Sequence, residues 1–204
     1  MSESARTLGV SRETFERLQT YAALLEKWNP RINLVAKSTL PGLWARHFRD
    51  SLQVFRLLSH PAAHWADLGS GGGFPGLVVA IAAAEAGNPA RVTLVESDQR
   101  KATFLRTVLR ETGVQATVIA ERIETVPPLG ADILSARALA DLETLLGFAA
   151  RHLAPGGICL FPKGKNWNSE LQSARKAWHF SYDATPSETE SQAVILTIRG
   201  LSRV

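Results

Sequence analysis

The sequence predicts an α/β fold: a doubly wound, mostly parallel sheet preceded by an N-terminal helical extension. Three observations lead there. A glycine-rich loop, Gly69-Ser70-Gly71-Gly72-Gly73-Phe74-Pro75-Gly76, separates a short strand pattern from an apolar helical run. Beyond it, strand-like and helix-like segments alternate to the C-terminus. The last two strand patterns are joined by a stretch too short for a helix, so they form an antiparallel hairpin.

Ser11 can cap a first helix with Glu13 in its first turn. Phe15, Leu18, Ala22 and Leu25 recur at helical steps and make its buried stripe, and Asn29-Pro30 is expected to stop it. Arg31 to Leu40 reads as an ordered loop with an apolar patch, Ile32-Asn33-Leu34-Val35. Pro41 opens a second helix that runs to about Leu58. Its stripe is Trp44, Phe48, Leu52 and Phe55; Arg46, Arg49, Gln53 and Arg56 share another face and could track phosphates. Ser59 to Ala63 is the junction, dividing a 1–60 extension from a 61–204 main domain.

His64 to Leu68 is the first strand. Pro75 suits the start of a helix that runs through about Glu85 and is broken at Asn88-Pro89. Arg91 to Glu96 is the second strand, and Ser97-Asp98 cap a helix with Ala102, Leu105, Val108 and Leu109 inward, ended by Gly113. Strands at 114–119 and 131–135 follow, separated by a short turn at 121–125. A helix at 139–153, a strand at 158–161 and a helix at about 169–178 come next. Strands near 180–183 and 193–198 bring the sheet to seven, the last one antiparallel.

Of the 204 residues, 45% are hydrophobic, enough for one real core. One cysteine, Cys159, excludes a disulfide framework and a Cys-rich metal site; no metal is expected. The polar Met1-Ser2-Glu3-Ser4-Ala5-Arg6 is no signal peptide. The apolar run from Leu77 to Ala84 falls far short of the roughly 18 residues a bilayer span needs. A cytoplasmic protein that meets no membrane and acts as a monomer is expected. The net charge of +4 lies wholly in residues 1–60, which hold nine Lys/Arg and five Asp/Glu; residues 61–204 hold fourteen of each. A basic extension on a neutral domain points to an anionic partner such as RNA, or to a basic surface without one.

The loop formally satisfies G-x-G-x-x-G at Gly71 to Gly76, which alone says little about the ligand. Asp67-Leu68-Gly69 before it and Glu96 ending the next strand say more. An acid-x-Gly-x-Gly loop followed by a second acid is the pattern of S-adenosylmethionine (SAM) methyltransferases. Asp67, Gly69, Gly71 and Glu96 are therefore cofactor-site candidates, with Glu96 placed to accept hydrogen bonds from both ribose hydroxyls. A NAD-dependent oxidoreductase would want Tyr-x-x-x-Lys, and neither Tyr21 nor Tyr182 has a lysine four residues on.

The set of motifs resembles the bacterial 16S rRNA guanine-N7 methyltransferases, the glucose-inhibited division protein B family, along nearly the whole chain. Lys27-Trp28-Asn29 with Ile32-Asn33-Leu34 looks like the family's N-terminal motif, and Arg46-His47-Phe48-Arg49-Asp50-Ser51-Leu52 is similar to its R-H-x-x-D-S-L box. The Asp67 to Gly76 loop with its Phe-Pro-Gly ending, Glu96 with Lys101 and Phe104-Leu105, Glu121 to Glu124, Ser135 to Ala138 and Lys163-Gly164 fit the remaining motifs. The resemblance implies a Rossmann-like class I SAM methyltransferase acting near the decoding region. It implies SAM contacts at Gly69, Phe74, Ile123, Glu124 and Arg137, and a role for Arg46, His47 and Asp50 in holding the helical cap or touching RNA. Members usually carry an arginine just before the last strand, where this chain has Ser191-Gln192; one substrate contact is thereby in question.

The guanine N7 lone pair is unprotonated at neutral pH and can attack the sulfonium methyl directly. No proton need be removed, so no catalytic base or nucleophile is expected, and alignment should carry the rate. His47 borders the Trp44 stripe and reads as packed rather than catalytic. Lys163 and Lys165, at a strand's C-terminal edge, join Arg46, His47 and Arg49 as candidates to meet RNA. The expected partner is 16S rRNA or the small ribosomal subunit. The rival readings are a small-molecule methyltransferase and a non-catalytic RNA-binding module.

Overall fold

The computed structural model describes residues 4–58 and 60–204. Residues 1–3, part of the polar N-terminal stretch, and Ser59, the first residue of the expected junction, lie outside the described residues. The strands are β1 (His64–Leu68), β2 (Arg91–Val95), β3 (Thr117–Ile119), β4 (Ala131–Ser135), β5 (Leu153–Lys163), β6 (Trp178–Pro186) and β7 (Val194–Arg203). They form one seven-stranded sheet in the order β3-β2-β1-β4-β5-β7-β6. The first five are parallel, and β7 lies antiparallel between β5 and β6. The chain winds outward from β1 to β3, then returns to lay β4 on the other side of β1. Loops leaving β1 and β4 therefore splay apart above the sheet, where doubly wound proteins hold ligands.

Among the described residues the α-helices are α1 (Ala5–Leu8), α2 (Arg12–Ile32), α3 (Asp50–Arg56), α4 (Gly76–Ala86), α5 (Gln99–Thr112), α6 (Leu142–His152) and α7 (Trp167–Ala174). Strand alternation sorts the core onto two faces. Ile158 and Leu160 of β5 point with Trp65, Val92 and Leu94 into a cluster shared with α2 to α5. Cys159 and Phe161 point the other way, into a cluster with Leu142, Leu145 and Leu146 of α6 and Leu171 of α7. The expected caps are in place: the Ser11 hydroxyl accepts from Thr14 N at 3.0 Å, Asp98 accepts from Arg100 N at 2.8 Å, and Gly113 closes α5 with φ of 65°.

Two expectations about the N-terminal helices change. Pro30 does not stop α2, which runs to Ile32 and ends at left-handed Asn33. Only Arg31 and Ile32 follow the proline within α2, so the one lost N–H is tolerated, and the buried Asn29 accepts from Val35 N at 2.8 Å to fix the next loop. The second helix is not one regular rod from Pro41. A 3₁₀ segment (Lys37–Gly42) leads into a π-helical turn (Trp44–Arg49) and only then into α3. The wide turn shifts the phase of the stripe: His47 and Phe48 are both buried, Trp44 and Phe55 are half-buried, and Gln53 sits inside with Ser51 to Val54. A short helix, α1, precedes the expected first one, and elsewhere only boundaries move. β3 is shorter than expected, while β5, β6 and β7 extend several residues beyond it.

The N-terminal helices grip the glycine loop from above. Buried Tyr21 of α2 donates its hydroxyl proton to Gly72 O at 2.5 Å, and its ring stacks on Phe74 at 5.1 Å. Tyr21→Phe keeps the stack and leaves that carbonyl unpartnered, so unfolding in urea should show a loss of about 1–3 kcal/mol.

Candidate active site

Above the C-terminal ends of β1, β2 and β4 lies a cavity of about 780 Å³. The glycine loop makes one wall, with Gly69 at φ of 64° and Gly71 at 54° exposing backbone to the cavity. Glu96, just past β2 and almost fully buried, supports the loop: its Oε2 accepts from Gly71 N and its Oε1 from Asp98 N, both at 2.8 Å. Each oxygen keeps acceptor capacity for a further donor. Val95, Ile123 and Phe148 give the cavity apolar surface, and Glu124 stands exposed at its rim, paired with Arg122 at 3.2 Å. Buried His152 of α6 donates from Nε2 to Ile123 O at 3.1 Å and so fixes that wall. Its only signal in the sequence is a histidine at the end of an apolar stripe.

Asp67, expected among the cofactor contacts, does not reach the cavity wall. It is fully buried beneath the loop, accepting from Ser135 Oγ at 2.6 Å, and Trp65 Nε1 donates to that same hydroxyl at 2.8 Å. Burial pushes its carboxyl up to about 6 against the lowering effect of the Ser135 bond. Its place is structural: it ties β1 to β4 under the loop.

Arg137, two residues past β4, is the most connected cation of the site. Its Nη2 donates to His47 Nδ1 at 2.6 Å, its Nη1 to Arg46 O at 3.2 Å and to Asp50 Oδ2 at 3.4 Å, and the guanidinium lies 5.1 Å from the Phe74 ring centre. His47 must then carry its proton on Nε2, which donates to Thr39 Oγ1 at 2.8 Å while Thr39 donates to Ala36 O. Burial, then Arg137 and Arg46, press the imidazole down to about 3, so it is neutral at physiological pH. Ala138 follows in the left-handed region at φ of 53°, a costly setting for a residue with a Cβ. Arg137, Ala138 and Ala140 line the large cavity and also a second one of about 350 Å³ beside it.

The residues expected to meet RNA divide. His47 is buried within the wall of the large cavity, packed and hydrogen-bonded to Arg137. Lys163 is buried too, its Nζ donating to Ala140 O at 2.9 Å and Glu170 Oε2 at 2.7 Å, so its charge is spent inside the fold rather than offered to phosphate. Arg46 is exposed and paired with Glu190 at 2.5 Å, and Arg49 is half-buried. Lys165 is exposed. The sequence hid the partners Asp50 and Glu170 because each meets its cation only after folding.

The sheet order, the glycine loop and the acid past β2 define a SAM-dependent methyltransferase fold. A solved ribosomal protein L11 methylase from Lactobacillus delbrueckii subsp. bulgaricus shares it with a TM-score of 0.59 at 16% identity, over 78% of this chain and 79% of that one. The family model for rRNA small subunit methyltransferase G matches residues 14–197. The chain is 60% identical to the ribosomal RNA small subunit methyltransferase G of Ruegeria pomeroyi over the full length of both. It is 55% identical to that of a second Ruegeria strain over 97% of this chain and 96% of the relative. The chain belongs to the rRNA small subunit methyltransferase G family.

The two shifted groups pull stability in opposite directions with pH. His47 is protonated below about 6.5 only when unfolded, so its neutral burial loses stability as pH falls from 6.5 toward 3. Asp67 has its pKa raised by folding, so the folded state gains as pH falls through about 6 toward 3.8. Between pH 6 and 4 the two nearly cancel in the parent protein. His47→Gln should therefore become more stable, relative to the parent, as pH falls through that window. Asp67→Asn should become less so, read from urea midpoints at each pH.

Proposed function

We propose that this protein transfers a methyl group from S-adenosylmethionine to N7 of a guanine in 16S rRNA near the decoding region. The observation that carries the reading is a pair of neighbouring cavities. One has the chemistry of a nucleoside site, and the other shares Arg137, Ala138 and Ala140 with it as lining residues. The residues present fit the cofactor: exposed glycine backbone, apolar surface, and a carboxylate with acceptor capacity to spare. Glu96 would take the ribose hydroxyls. Ile123 would line the adenine with Glu124 near its amino group. Gly69, Gly71, Phe74 and Arg137 would enclose the methionine part. Asp67 would act from beneath, by holding the loop.

The cofactor supplies an electrophilic methyl on a sulfonium. The chain's part is to bind, align and exclude water, because N7 carries no proton to remove. His47 and Asp50 hold Arg137 in place, and no side chain in the site is asked to act as a base. Arg46, Arg49 and Lys165 are the remaining candidates for phosphate contact. The partner is 16S rRNA or the small subunit particle, met by a cytoplasmic monomer. Among the described residues no helix is long and apolar enough to cross a membrane.

Incubation with tritiated SAM and rRNA or small-subunit particles from cells lacking the protein should place label on 7-methylguanosine in 16S rRNA. Label on no RNA, or on another nucleoside, would sink the reading. Glu96→Gln should weaken SAM binding by about 10- to 150-fold, the loss of one or two hydrogen bonds to a charged acceptor. Equilibrium dialysis measures it without turnover.

A further inference from the structure

We infer that Glu190 reads the target guanine in the second cavity and offsets the positive charge that methylation places on it. The inference rests on the methyl-transfer reading above. The two cavities share Arg137, Ala138 and Ala140 as lining residues, so a base in the smaller one must present N7 toward that shared wall. O6 lies beside N7 and needs a donor, which Arg137 is. The opposite edge of guanine carries N1–H and the N2 amine, two donors that call for a carboxylate.

Three carboxylates line the smaller cavity: Asp50, Glu170 and Glu190. Asp50 is committed to Arg137 at 3.4 Å and to the hydroxyls of Ser187 and Thr189 at 3.4 and 3.3 Å. Glu170 is committed to Lys163 at 2.7 Å and to Leu142 N at 2.9 Å. Glu190 is paired with Arg46 at the surface, where the two side chains are 43% and 47% exposed. An exposed pair of that kind is worth roughly 0–1 kcal/mol, so Glu190 can exchange Arg46 for a base at little cost. Its turn is pinned all the same. Gln53 accepts from Glu188 N at 2.9 Å and donates to Pro186 O at 2.8 Å, and Ser187 Oγ accepts from Glu190 N at 3.2 Å. This exchangeable carboxylate is thus delivered to the cavity by a loop fixed to the N-terminal helices.

The same contact serves the reaction. N7 forms its bond to the methyl carbon with its lone pair as the carbon–sulfur bond breaks, and that bond pair stays on sulfur. No proton moves; one positive charge passes from sulfur to the purine and makes N1–H a stronger donor. A carboxylate at N1–H is therefore held more tightly in the transition state than before it. Adenine puts a bare N1 acceptor against the carboxylate and is turned away.

The test uses small-subunit particles rebuilt with 16S rRNA carrying guanosine or inosine, which lacks the N2 amine, at the target. The wild type should prefer guanosine by about 5- to 150-fold in kcat/KM. Glu190→Ala should lower kcat/KM for both substrates and erase the guanosine preference, with SAM affinity and melting temperature unchanged. Glu190→Gln, which keeps one acceptor but loses the charge and the second, should lose more in kcat than in particle affinity measured without turnover. A Glu190→Ala variant that retains wild-type kcat/KM, or the guanosine preference, overturns the inference. If the wild type labels no guanine at all, the methyl-transfer reading itself falls, whatever Glu190 does.

Discussion

The site depends on one steric constraint: the loop from Gly69 to Gly76 has no room for a Cβ at Gly69, Gly72, Gly73 or Gly76. A Cβ on Gly69 would stand 2.6 Å from Leu139 Cδ1, and one on Gly72 would stand 2.8 Å from Leu34 O. On Gly73 it would meet Tyr21 Oη at 2.7 Å, and on Gly76 the Asp67 Oδ2 at 2.5 Å. These neighbours come from four different places in the chain. The β4–α6 connection, the loop after α2, α2 itself and β1 all close on the same short backbone segment. The glycines are thus where separate layers of the fold meet, as well as where a ligand can approach.

Phe74 is the exception in that loop, and it organises the charges. Its ring contacts Tyr21 at 5.1 Å, Phe48 at 5.3 Å and His47 at 4.9 Å, and carries the Arg137 guanidinium on one side. Arg137 is therefore held by aromatic surface, a neutral imidazole and one carboxylate. Burial alone would lower its pKa, and Asp50 is the main group opposing that. A guanidinium remains charged in such a setting. The π-helical turn has its explanation here: it brings His47 and Phe48 to the same ring while Asp50, one turn on, still reaches the arginine.

Local signals were legible in the sequence and tertiary ones were not. Ser11, Asp98 and Gly113 act on backbone groups within a few residues, so their spacing sufficed to place helix ends. The antiparallel last strand was legible because a short connection leaves a chain no other course. Pro30 misled because a proline removes only its own N–H, and the residues after it can still close the helix as far as left-handed Asn33. Lys163 misled for a different reason. Its position at a strand's C-terminal edge was read correctly, yet Glu170 and Ala140 O reach it only when α7 and the β4–α6 connection pack there. Asp67 sits at the right place in the motif but one layer too deep, because the Trp65–Ser135–Asp67 chain of hydrogen bonds draws it under the sheet's edge.

Charge counting needs the same correction. The excess of four positive charges belongs to residues 1–60, but many of those cations are already engaged. Arg12 and Arg17 pair with Glu16 and Glu13 on α2, and Arg56 donates to Leu8 O. Exposed cations also stand around the cavities, and they come from both halves of the chain. Lys37 adjoins Ala36 and Thr39 on the wall of the larger cavity, Arg122 stands at its rim, and Lys165 follows Gly164 at the smaller one. A polyanion crossing both mouths would meet these groups, whichever half of the chain supplied them. Electrostatic attraction depends on where free charge lies in space, within a Debye length of about 8 Å at physiological salt, rather than on which half of the sequence holds the surplus. The basic extension pointed toward an anionic partner, but the fold puts the usable cations along the ligand-binding edge of the sheet.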